Sequence, residues 1–157
     1  MSAYSPDEPK PLARYAALTA AFNGLVAGYA VVHRRSGREL PNNLPVGDFI
    51  LMAAGTQKLS RVISKDRVTS FLRSPFTRYQ GEAGPAEVSE EPRGTGLQLA
   101  IGELLVCPYC VGQWVAAAFV GSYIARPDAT RMAATVFAVL GASDFLQQAW
   151  AAVDERA

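Results

Sequence analysis

The chain has 157 residues, the length of a single domain. A net charge of +1 offers no basic face for nucleic acid, and two cysteines three positions apart cannot staple distant segments, which excludes a disulfide framework. Half the residues are apolar, yet the mean hydropathy is only slightly positive, because charges cluster in the N-terminal tail and in residues 33–39 and 58–93.

Residues 1–11, MSAYSPDEPKP, are polar and proline-rich and read as a disordered tail ahead of one membrane domain over 12–157. Tyr15 to Val32 is a run of eighteen uncharged residues between Arg14 and the group His33, Arg34, Arg35. That run is long enough to cross a bilayer and predicts a helix over about 12–33. A signal peptide is the rival reading, since Gly28-Tyr29-Ala30 resembles a small-x-small cleavage site; the acidic, proline-containing leader argues against it. His33, the only histidine, reads as an interfacial residue at a helix C-terminus. Residues 36–45, SGRELPNNLP, form a turn-rich connection.

Residues 46–64 are the weakest span, because only nine residues separate Asp48 from Lys58. Snorkelling of Lys58 and Arg61 toward the headgroups extends the usable length; without it the helix is amphipathic and lies in the interface. An extramembrane loop over 65–96 follows. Its first part is basic and amphipathic, and Pro75 ends any helix near Ser74. Its second part is rich in glycine, proline and glutamate, with a short hairpin between Thr77 and Val88.

From Leu104 to Ala125 no side chain is charged, which predicts a third span over 103–125. Arg126-Pro127-Asp128 makes a turn with Asp128 as N-cap of a fourth helix over 129–153, apolar except for Arg131, Asp144, Gln147 and Gln148. The third span holds Cys107-Pro108-Tyr109-Cys110. On an unbroken helix Glu103, Cys107, Cys110 and Trp114 share one face. Pro108 is tolerated only in a first turn, so the regular helix is expected to start near Cys107, after a kinked lead-in.

Three readings of the thiols compete. Small polarizable cysteines pack well between helices, and this is the favoured reading. A membrane-embedded dithiol redox pair is the second; the tetrad is also that of glutaredoxins, but no alternation of strands and helices accompanies it. A zinc site is the third and needs about four ligands, so one pair would have to recruit Glu103 or a second chain. No cofactor or metal is expected. A second constellation, Arg61, Asp66, Arg67, Arg73 and the Ser74-Pro75-Phe76-Thr77 turn, reads as a structured corner at the membrane surface. Its arginines are expected to pair with Glu103 or Asp66, or to bind anionic headgroups.

Lysines and arginines set the orientation. With four spans and the N-terminus inside, ten of them (Lys10, Arg14, Lys58, Arg61, Lys65, Arg67, Arg73, Arg78, Arg93, Arg156) collect on the cytoplasmic side and five (Arg34, Arg35, Arg38, Arg126, Arg131) stay outside. Both termini and the long loop are therefore expected to be cytoplasmic.

Two motifs in order, from Lys58-Leu59-Ser60-Arg61 through Leu72-Arg73-Ser74-Pro75-Phe76-Thr77 and then Gly102-Glu103-Leu104-Leu105-Val106-Cys107-Pro108-Tyr109-Cys110 to Trp114, resemble a bacterial family. It is a family of small multi-pass membrane proteins known only as a domain of unknown function, thirteen-sixty in that series. Val111 and Gln113 depart mildly from its pattern. The resemblance implies an integral membrane protein, linked in some members to sporulation, and carries no established activity or cofactor.

The expected fold is all-α: a bundle of about four transmembrane helices in the bacterial cytoplasmic membrane, with a cytoplasmic loop between the second and third. Gly24, Ala27, Gly28, Gly112, Ala116, Ala117, Gly121 and Gly141 would permit close helix packing. The expected function is a non-enzymatic accessory, scaffold or subunit, with lipid and other membrane proteins or further copies of itself as partners. A membrane thiol-disulfide oxidoreductase and a small transporter component are the alternatives.

Overall fold

The computed structural model describes residues 10–37, 40 and 43–155. The tail expected over 1–11 lies outside the described residues as far as position 9, as do Arg38, Pro41, Asn42 and Arg156. The elements are α1 (Leu12–Arg35), α2 (Val46–Ser64), a 3-10 turn (Arg67–Thr69), the short α3 (Ser70–Arg73), β1 (Thr77–Gly84), β2 (Glu87–Pro92), α4 (Gly96–Val106), α5 (Pro108–Ala125) and α6 (Pro127–Asp154).

The expectation of an all-α chain needs correcting: the chain is mostly helical, with one small sheet. β1 and β2 pair antiparallel from Thr77 opposite Pro92 to Gly84 opposite Glu87. The glycines and prolines of this stretch disfavour a helix, and an extended chain finds main-chain partners in the second strand. The hairpin docks on the end of α2. The Val88 amide donates to the Lys65 carbonyl at 2.9 Å, the Arg67 amide donates to the Ala86 carbonyl at 2.8 Å, and Val88 is buried.

Residues 103–125 do not form one helix. The chain breaks at Cys107, which is extended (φ −104°, ψ 104°), and α4 and α5 meet at a bend of 83°. Pro108 is the cause: it cannot continue α4 but fits the first turn of α5. Gly102 lets α4 rest on the hairpin base, since a Cβ there would lie 2.5 Å from the Phe76 carbonyl oxygen.

α2 is the hub and packs most extensively on α6 and then on α5. Asp48 meets Arg131 and Lys58 meets Asp144, so α2 and α6 run in the same direction. Tyr123 meets Asp48 while Gly112 faces Ser60, so α5 runs against them. α1 follows α5, with Tyr15 on Glu103, Phe22 on Trp114 and Tyr29 on the Gly121 carbonyl. The buried core is Met52, Val111, Val115, Phe119 and Ala134, in which the three α5 residues recur at steps of four and share a face. The tightest approach is at Gly55, where a Cβ would lie 3.1 Å from the Ala134 carbonyl oxygen. Gly24 and Gly28, expected to serve close packing, face open space.

Among the described residues two helices, α1 and α6, are each long and apolar enough to cross a membrane. α4 and α5 qualify only as a bent pair, a broken span or a re-entrant loop. α6 starts at Pro127 rather than 129, so Asp128 sits in its first turn and not at its N-cap.

Candidate functional site

The basic corner is built around Arg73, whose side chain is 0% exposed against 5% for that of Glu90. The guanidinium Nε donates to Glu90 Oε2 at 2.6 Å and Nη2 to Glu90 Oε1 at 3.3 Å. Nη1 donates to the Ile63 carbonyl at 2.6 Å and to Thr69 Oγ1 at 2.7 Å, and Nη2 also to the Asp66 carbonyl at 2.9 Å and Ser70 Oγ at 3.1 Å. Every donor of the fork is used, which is what a buried cation requires. Thr77 Oγ1 donates to the Arg73 carbonyl at 2.9 Å.

These contacts replace the expected ones. Arg73 takes the Asp66 backbone carbonyl rather than its carboxylate, and Arg61 pairs with Glu87. Glu103 receives Lys10 at 3.2 Å and the Tyr15 hydroxyl. Pro75 contributes its carbonyl, which accepts from Arg93 Nη2 at 3.2 Å and Gln98 Nε2 at 2.9 Å. Phe76 contributes the carbonyl that accepts the Arg93 amide at 2.9 Å. The corner is thus a latch that clamps α2, the hairpin and α4 together. Sequence reasoning missed Glu87 and Glu90. The usable signal was the excess of acids in residues 82–91 facing the basic stretch 61–78.

The bend takes Glu103 out of the stripe of Glu103, Cys107, Cys110 and Trp114, while Cys110 and Trp114, four apart on α5, keep one face. Cys107 caps α5, its Sγ accepting the Cys110 amide at 3.3 Å. Cys110 and Tyr109 are exposed, so Cys110 does not pack between helices. Trp114 lies a turn further along α5, its ring edge-on to Phe22 at 5.1 Å. Among the described residues no group of three or more histidine, cysteine or acidic side chains could hold a metal.

At the opposite end, Asp48 of α2 accepts Arg131 Nε at 2.9 Å and Nη2 at 2.8 Å, and also the Tyr123 hydroxyl. The Arg131 guanidinium sits 5.4 Å from the centre of the Tyr123 ring. In mid-bundle Lys58 reaches Asp144 at 2.8 Å instead of snorkelling outward. His33 is buried and stacks on Tyr29 at 5.9 Å. Two apolar clefts open beside α5. One of about 810 Å3 follows its length from Leu105 past Trp114 to Arg126, and one of about 550 Å3 lies between α1 and α5.

The latch, the broken helix and most of the hub helix lie within residues 51–150, which match the family described as "Protein of unknown function (DUF1360)". The chain belongs to this family. It is also similar to the sporulation protein YjcA of Bacillus subtilis (strain 168), with 28% identity over 101 residues that cover 62% of this chain and 86% of that protein. No solved structure matches the chain.

Proposed function

We propose that this protein is a four-pass subunit of the bacterial cytoplasmic membrane that serves as a non-enzymatic scaffold for other membrane proteins. The observation that carries the reading is where the apolar side chains lie. Among the described residues seven hydrophobic residues are buried while two dozen large ones are exposed, many along α1 and α6. Surfaces of that extent need lipid or protein against them.

The alternating directions of α1, α2, α5 and α6 support four passes, with α4 lying across one end. α2 fails as a span on composition, but Lys58 and Asp48 each meet an opposite charge from α6, which lowers the cost of holding them among lipid-facing helices. The end that carries Arg61, Arg67, Arg73, Arg78 and Arg93 also carries the hairpin, and the positive-inside rule puts it in the cytoplasm with both termini.

The membrane part is tested by carbonate washing, which should leave the protein in the pellet. Gly84→Cys, in a chain with both native cysteines changed to serine, should resist an impermeant thiol reagent in intact cells. The scaffold part is tested by a photo-crosslinking residue at Val139, 61% exposed on α6. Adducts of defined protein mass are expected, and adducts to lipid alone would argue against a scaffold.

One observation favours a second reading, a thiol-disulfide oxidoreductase: Cys110 is exposed beside Cys107 at a helix start, open to a partner. Loss of function in Cys107→Ala, Cys110→Ala with assembly intact would promote it.

A further inference from the structure

We infer that the long cleft beside α5 is a binding site for one anionic phospholipid, one of its acyl chains lying along α5 and its phosphate on Arg126. The inference rests on the membrane reading. One face of α5 lines the cleft throughout, with Leu59 and Leu105 at the far end and Thr130 and Ala133 at the Arg126 end. The lining is apolar except at that mouth.

The shape selects the occupant. α5 has 18 residues, so its length is about 27 Å at 1.5 Å per residue. A cleft of about 810 Å3 spread over that length has a mean cross-section of about 30 Å2. That section takes a hydrocarbon chain along its length, whereas a helix with its side chains, about 10 Å across, would overfill it and could only ride on its open side.

The charge selects the headgroup. Arg126 is exposed and makes no ion pair among the described residues, while the neighbouring carboxylates of Asp48 and Asp128 are both engaged by Arg131. Its guanidinium is a fork suited to phosphate oxygens. The Arg126 carbonyl accepts Thr130 Oγ1 at 2.9 Å and the Thr130 amide at 3.1 Å, which fixes its backbone at the start of α6.

The test uses the full chain in nanodiscs of phosphatidylglycerol or of phosphatidylcholine, followed by a delipidating detergent wash and mass spectrometry of the retained lipid. The wild type should keep about one phosphatidylglycerol per chain and several-fold less phosphatidylcholine. Arg126→Gln should abolish the preference, and Ala133→Trp, which fills the cleft from an exposed position, should abolish retention of both. Both variants should melt like the wild type. Equal retention of the two lipids, unchanged retention in both variants, or a lipid-free dimer that Ala133→Trp breaks would each overturn the inference. Release of the wild type by carbonate would instead fault the membrane reading beneath it.

Discussion

Removing the carboxylate from Glu90 should loosen the hairpin without touching the bundle. Glu90→Leu leaves the Arg73 guanidinium buried, still bonded to two carbonyls and two hydroxyls but with no counter-charge. Breaking a buried pair by removing one partner typically costs about 3–5 kcal/mol. At about 1.4 kcal/mol per decade, that corresponds to roughly a hundred- to several-thousand-fold more frequent local opening. The reporters are the Val88 and Arg67 amides, whose bonds to Lys65 and Ala86 hold the hairpin to α2. Hydrogen exchange in detergent should show them losing protection while amides in α5 and α6 keep theirs. Arg73→Met should cost a similar amount by stranding Glu90. The double variant should cost less than either single change, because the second removes the charge that the first stranded. Unchanged exchange in Glu90→Leu, or a double variant whose loss equals the sum of the two singles, would refute the latch.

Gly55→Val should force α2 away from the Ala134 backbone, an overpacking cost of about 1–3 kcal/mol, whereas Gly24→Ala, in open space, should leave the melting temperature almost unchanged. Asp144→Lys should lower the amount of folded protein in the membrane by placing two cations side by side, and Lys58→Asp in the same chain should restore it. Equal amounts in all three would show that the pair contributes nothing to folding. Cys110 should react with maleimide faster than Cys107, because it is exposed while Cys107 is partly covered and holds the Cys110 amide; equal rates, followed by mass spectrometry, would contradict that geometry.

What the sequence determined by itself is what depends on neighbours along the chain. The uncharged run after Arg14 marks α1, and Pro108 marks the start of α5, because span length and proline sterics are local properties. The stop at Ser74 before Pro75 has the same origin. What only the tertiary structure decided is which charges neutralise one another. Lys58 reads as a snorkelling residue until α6 brings Asp144 to it from 86 positions away, and Arg73 reads as a surface cation until the hairpin folds Glu90 over it. A glutamate in a loop rich in glycine and proline carries no periodicity to announce a buried partner. The 83° bend likewise parts the acid from the thiols and indole of one apparent stripe, because a face shared on paper requires an unbroken helix and a proline removes it. Ion pairing across a bundle is set by where helices cross, and that crossing is fixed by contacts such as Gly55 on Ala134 that no single segment contains.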